Sequence, residues 1–209
     1  MIVQPNQKFV FIGDSITESG RQPAAPVGFG YVSMVANFVT ARYPERKITF
    51  VNQGVSSNTV RDLDKRWEQD VIAQQPDWLS VMIGINDVWG LFGNADVKPV
   101  PIEEYQATLR RLLQRVQAAT KAQIILAEPY MIESNHSVPM RQMMDVYGKT
   151  LDGLATEFTA RLVHTQAAWD AVLASTDPSF WAGDHIHPNV PGHAVIAQEF
   201  LRTLEFSLL

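Results

Sequence analysis

The chain contains no cysteine, which excludes disulfides, a thiolate nucleophile and thiolate metal sites. It has no apolar run near the ~20 residues a membrane-spanning helix needs. The opening residues, Met1-Ile2-Val3-Gln4-Pro5-Asn6-Gln7, lack a basic segment followed by an apolar one, so no signal peptide is visible and the expected address is cytoplasmic. Basic charge is sparse: 17 Lys and Arg stand against 22 Asp and Glu, for a net charge of -5. Nucleic acid calls for a clustered basic face, and this balance argues against it. The adjacent basic pairs Arg46-Lys47, Lys65-Arg66 and Arg110-Arg111 read as solvated helix or turn faces. Internal repeats, low-complexity stretches and interdomain linkers are also missing, so one domain is expected over residues 1–209.

What the chain does have is 46% apolar and 19% charged residues, enough for a substantial core. Short β-rich runs alternate with stretches of helical period. The runs Lys8–Ile12, Ile48–Val51, Trp78–Ile83, Gln123–Ala127 and Arg161–Val163 read as strands. Between them, Tyr31, Met34, Val35, Phe38 and Val39 recur at helical spacing, as do Val60, Leu63, Trp67 and Val71. Tyr105, Leu109, Leu112, Leu113 and Val116 do the same after Pro101. The Met-rich segment from His136 to Phe158 reads as helical, a short helix is expected around Trp169–Leu173, and a last helix starts at Pro191 with Val195, Ile196, Phe200 and Leu204 on its core face. Such alternation implies a parallel sheet with helices on both sides. Residues 90–100, with Gly90, Gly93, Asn94 and Pro99, form the longest loop-like stretch, and it follows directly on a polar motif.

Ligands of open α/β sheets bind beyond the carboxyl ends of the strands. Three polar motifs fall there: Gly13-Asp14-Ser15, Gly54-Val55-Ser56 and Gly84-Ile85-Asn86-Asp87. Asp184-His185-Ile186-His187 follows the fifth strand after a short helix. A serine becomes a useful nucleophile when a histidine takes its proton and an acid orients that histidine. Ser15, Asp184 and His187 supply the three parts. Read alone, Ser15 serves equally well as a helix cap. His187 could be a core histidine, or a metal ligand beside His185, although only Asp184 and His193 stand by to complete a metal set. The spacing of Asp184 and His187 lets the carboxylate reach Nδ1 and leaves Nε2 for Ser15, whereas His185 is expected to point away. His136, His164 and His193 read as structural or surface residues. There is no G-x-S-x-G, so the strained elbow of α/β-hydrolases is absent, and Ser56 reads as a helix cap. Acyl transfer also needs donors for the oxyanion. The N–H groups of Ser15 and Gly54 and the amide of Asn86 are candidates, with a turn glycine and an Asx-turn as the plain alternatives for the last two.

Taken together, Gly13-Asp14-Ser15-Ile16-Thr17, Gly54, Gly84-Ile85-Asn86-Asp87 and Asp184-x-x-His187 resemble the four sequence blocks of the SGNH, or GDSL, hydrolase family, in the family's order. The resemblance implies a flavodoxin-like three-layer α/β/α sandwich on a five-stranded parallel sheet. It implies Ser15 as nucleophile, His187 as base, Asp184 as its orienting acid and Ser15, Gly54 and Asn86 as oxyanion donors, with no cofactor and no metal. Ser57 departs from the pattern, standing where many members carry glycine. Asn58-Thr59-Val60-Arg61-Asp62-Leu63, Trp67-Glu68-Gln69-Asp70-Val71, Pro76-Asp77-Trp78 and Ile83 through Trp89 are similar to the acetyl-xylooligosaccharide esterases within that family. The expected substrate is therefore a small acetylated carbohydrate, with Asp14, Trp89 and Trp181 as candidate contacts. The alternative is a lysophospholipase or thioesterase using the same triad on longer acyl chains. No membrane partner is expected. Exposed aromatics such as Trp181 would suit a homo-oligomer interface as readily as a sugar.

Overall fold

Phe9, Val10, Phe11 and Ile12 form a continuous apolar run, and all four are fully buried. A strand with both faces covered has no polar side to show, which is the signature of a central strand in a parallel sheet. In the computed structural model, which describes residues 1–93 and 95–207, this strand is β1 (Lys8–Gly13). The others are β2 (Thr49–Gly54), β3 (Trp78–Met82), β4 (Gln123–Ala127) and β5 (Arg161–Val163). All pairings are parallel and the order is β2-β1-β3-β4-β5. The chain steps from β1 to β2 in one direction and then returns to place β3 on the other side of β1. That reversal opens a crevice at the carboxyl ends of β1 and β3.

Helices cover both sides. α2 (Tyr31–Arg42), α7 (Thr165–Leu173) and α9 (Val190–Thr203) pack together on one side. On the other, α3 (Val60–Trp67), α5 (Ile102–Ala119) and α6 (Pro139–Phe158) pack together. Short helices α1 (Ser15–Glu18), α4 (Ile85–Trp89) and α8 (Pro178–Trp181) follow the strand ends or precede the last loop. The three-layer α/β/α arrangement is the expected one.

The local departures have physical causes. β2 runs on through Asn52-Gln53-Gly54, which composition marks as turn-like, because these residues pair in register with Phe11, Ile12 and Gly13. Ladder bonds to a buried strand outweigh a weak β propensity. The periodic stretch from Val60 to Val71 is helical, but beyond Trp67 it widens, with Ala73 N–H donating to Glu68 O at 2.8 Å. Phe38, expected in the core, is 46% exposed at the outer edge of α2. On the face expected from α9, Ile196, Phe200 and Leu204 are buried and Val195 partly so. Asn94 of the expected 90–100 loop lies outside the described residues. Among the described residues, no helix is long and apolar enough to cross a membrane.

Close packing of α1 on the end of β2 constrains one glycine in particular. A Cβ on Gly54 would lie 2.1 Å from the Glu18 backbone nitrogen and 2.6 Å from its Cα. Backbone cannot yield as a flexible side chain can, so overpacking here forces α1 away from the sheet. Gly54→Ala is expected to lower the free energy of unfolding by about 3 kcal/mol, checked by urea denaturation.

Candidate active site

Gly13 ends β1, and Asp14 caps the short helix that follows: its carboxylate accepts the Ile16 N–H at 3.0 Å. This cap throws Ser15 onto the first turn of α1, where the first N–H groups of a helix have no internal partner. From the far end of the sequence, Asp184 builds a compact turn of its own. One carboxylate oxygen accepts the N–H groups of Ile186 (3.0 Å) and His187 (2.8 Å), and the other lies 2.6 Å from His187 Nδ1. His185 sits inside this turn with φ of 62° and reaches away to Glu133, 3.2 Å off. Its left-handed backbone folds the turn back so that Asp184 and His187 meet.

His187 Nε2 then lies 2.8 Å from Ser15 Oγ, across 172 residues of sequence. An ionised Asp184 can only accept, so Nδ1 carries the ring hydrogen and Nε2 offers a lone pair to the serine hydroxyl. Partial burial of Asp184 pushes its carboxyl up, but the bonds from the His187 ring, the His187 N–H and the Ile186 N–H outweigh this and hold it below the usual carboxylate range. The sequence-expected serine, histidine and aspartate are thus brought into one hydrogen-bonded line.

Asn86 follows β3 on α4 and is buried. One hydrogen of its amide donates to Asn58 O at 3.0 Å, leaving the second without a partner among the described residues. Gly54 does not match its expected role. Its N–H donates to Asn52 Oδ1 at 2.8 Å and is spent there. Its glycine identity answers instead to the packing against α1. Three residues further on, Ser57 occupies the third position of the turn from Val55 to Asn58, with φ of 63°. The Ser57 N–H has no partner among the described residues. Its turn is tied to β1 by Val55 N–H donating to Gly13 O (3.1 Å), and to Asn86 through Asn58 O. In the sequence Ser57 stands out only as a departure from the family pattern; its left-handed backbone is the local demand that glycine would meet without strain.

Other expectations also change. Ser56 is not the cap of α3: that is Thr59, in a reciprocal box with Asp62. Ser56 donates instead to Glu18 of α1 through its N–H (2.9 Å) and its hydroxyl. Asp14 is 1% exposed, so it is a cap and not a substrate contact. Trp181 packs edge-on to Trp169 (5.9 Å between centroids) and bonds Thr176 through Nε1 at 2.7 Å, while its carbonyl accepts Asn189 N–H at 2.8 Å. These contacts brace the loop that carries Asp184 and His187, and the ring is only partly buried. Trp89 does stand at the site, its ring 5.9 Å from that of His187. His193 is buried and held neutral, its value pushed down to about 4 first by burial and then by nearby His187. It accepts the Tyr31 N–H on Nδ1 (3.3 Å), so its Nε2–H faces Ser19 Oγ at 3.2 Å, the wrong tautomer for a base. Among the described residues, no group of three or more His, Asp or Glu is placed to hold a metal.

Two buried carboxyls lie beneath the site. Asp14 and Asp87 are both pushed up to about 7, by burial above all, and the charge of Asp14 adds to the rise at Asp87. Asp87 Oδ1 accepts the Val60 N–H at 3.0 Å, and its Oδ2 is buried without a partner among the described residues.

The chain is similar to known proteins along nearly its whole length. The sequence model of the GDSL-like lipase/acylhydrolase family matches residues 11–195. An acetylxylan esterase of Geobacillus stearothermophilus is 46% identical over 214 positions, covering 99% of this chain and 97% of that protein. The crystal structure of Axe2, an acetylxylan esterase from Geobacillus stearothermophilus, superposes with a TM-score of 0.93 at 45% identity, covering 99% of this chain and 98% of that one. LAE5, an α/β hydrolase enzyme from the metagenome of Lake Arreo, Spain, superposes with a TM-score of 0.92 at 42% identity over 98% of each chain.

The buried carboxyls carry a pH signature. For a carboxyl raised by folding, the folded state binds more protons than the unfolded between the unfolded value of ~3.9 and the folded value, so stability falls as pH rises through that window. For Asp87 the window runs up to about 7. Asp87→Asn removes this slope, so its stability relative to wild type is expected to improve steadily from pH 4 to pH 7. Urea unfolding of both proteins across that range checks it; a constant difference would mean that folding does not raise the Asp87 carboxyl.

Proposed function

This chain belongs to the GDSL-like lipase/acylhydrolase family, and on that premise we propose that it is a serine esterase removing O-acetyl groups from short xylan-derived oligosaccharides. The observation that carries the reading is the line from Ser15 Oγ to His187 Nε2 at 2.8 Å and from His187 Nδ1 to Asp184 at 2.6 Å. The acetyl and xylan part rests on the acetylxylan esterases that this chain resembles along nearly its whole length.

In this reading Ser15 Oγ attacks the acetyl carbonyl while His187 Nε2 takes its proton, and Asp184 stabilises the imidazolium that forms. The oxyanion is received by the N–H groups of Ser15 and Ser57 and by the free amide hydrogen of Asn86. Collapse expels the sugar hydroxyl with the proton from His187 and leaves an acetyl-serine. Water, deprotonated by His187, then releases acetate and restores the serine. Trp89, beside His187, offers an apolar face to the acetyl group or to a sugar ring.

Ser15→Ala is expected to lower kcat on 4-nitrophenyl acetate by at least ~10⁴-fold with unchanged thermal unfolding. Asn86→Ala should cost ~10²–10³-fold in kcat with little change in KM, because its amide bonds a charge that exists only in the transition state. Acetate release from acetylated xylo-oligosaccharides should far exceed hydrolysis of octanoyl esters. A preference for octanoyl would favour the longer-chain acylhydrolase reading instead.

A further inference from the structure

Lys65-Arg66 reads in the sequence as part of a solvated face, and Lys65 behaves so: its ammonium pairs with Asp62 at the surface, its side chain 75% exposed. Arg66 does the opposite. Its side chain is 17% exposed, and the guanidinium bonds four acceptors on separate segments. Nε donates to Asn58 Oδ1 (2.7 Å), Nη1 to Gln53 O (2.7 Å) and Asp70 Oδ2 (2.7 Å), and Nη2 to Gly13 O (2.9 Å). Drawing an arginine out of water costs more than a single surface-type ion pair returns, so one such pair would not hold it there. Asp70 supplies one bond. The other three go to the ends of β1 and β2 and to the loop between β2 and α3.

These are the segments that carry the oxyanion donors. Gly13 O, bonded by Arg66, also accepts the Val55 N–H that anchors the turn bearing Ser57. Asn58, whose side chain Arg66 holds, closes that turn through its N–H and orients the Asn86 amide through its carbonyl. Charged groups facing the guanidinium also include buried Asp14, whose carboxyl Arg66 draws downward against the larger effect of burial.

We infer that Arg66 is the positioning residue of the oxyanion site, its planar fork holding the Ser57 turn and Asn58 in register with Gly13 so that the amides of Ser57 and Asn86 converge on one point. The inference rests on the esterase reading above. Arg66 touches neither substrate nor reacting atoms; it acts through Asn58 and the turn. Lysine cannot substitute, because one ammonium does not reach four acceptors lying in different directions.

The test is a double-mutant cycle on 4-nitrophenyl acetate with Arg66→Met, Asn86→Ala and the pair combined, thermal unfolding being followed for each. Arg66→Met is expected to lower kcat about 10²-fold, as misplacement of a catalytic group by ~1 Å does, with KM within about twofold. The double variant should fall little below Asn86→Ala alone, because both changes damage one donor set. Arg66→Lys should recover less than a tenth of the lost rate, and it replaces Arg66→Met in the cycle if that variant does not fold. Asp70→Asn keeps an acceptor and all three loop bonds and should stay within about twofold of wild type. Losses that multiply in the double variant, an effect on KM alone, or a loss with Asp70→Asn as large as with Arg66→Met would each overturn the inference. Wild-type turnover in Asn86→Ala would overturn the esterase site itself, whereas a normal Arg66→Met beside a damaged Asn86→Ala overturns only the role of Arg66.

Discussion

The site depends first on the in-register pairing of β1 with both its neighbours. Gly13 lies opposite Gly54 on one side and Met82 on the other, so three strands end at the same height. Whatever follows each strand must then share a small volume, which is why a serine, a turn and an asparagine from residues 15, 57 and 86 can approach one point. The ladder in turn depends on the continuous apolar run of β1, buried on both faces. A one-residue slip would reverse every side chain and bury or expose the wrong set.

On that platform, the polar groups around the site are fastened by short, mostly buried bonds. Asn52 is a second hub beside Arg66: its amide donates to Thr17 O (2.7 Å) and Val27 O (3.0 Å) while its carbonyl accepts Gly54 N–H. Arg21 donates to Gly54 O at 2.9 Å. Each such bond contributes about 0.5–3 kcal/mol net, more where one partner is charged. Their larger effect is geometric, because a buried acceptor left unpaired costs more than a bond contributes. The loops therefore have few alternative arrangements. The histidine side is built on different terms: Asp184 and His187 are about two-fifths exposed and are oriented by the tight turn that contains them. One half of the site is held by burial and the other by local turn chemistry.

Much of this was legible in the chain. The five strands and the main helices follow from period and from Gly and Pro punctuation, and Ser15, Asp184, His187 and Asn86 could be named because their motifs follow strand ends. Errors cluster where a residue's partners are distant in sequence. Gly54 looked like a donor because glycine permits close approach, yet the approaching group is the backbone of α1. Asp14 looked like a contact because it stands within a motif, yet it is a buried cap. Arg66 looked solvated because its neighbours on α3, Asp62 and Lys65, are charged; helical period cannot show that Gly13 and Gln53 present carbonyls just beyond it.

By itself, then, the sequence determined the alternation of elements, the strand ends at which polar chemistry would collect, and the identity of the serine, histidine and acid. These depend on periodicity and on short-range turn chemistry, which are written locally. Only the tertiary structure decided which amides remain free, which glycine serves packing, and which arginine is drawn inward. Those outcomes depend on partners tens of residues away, whose donors and acceptors are spent or spared only once the strands lie side by side.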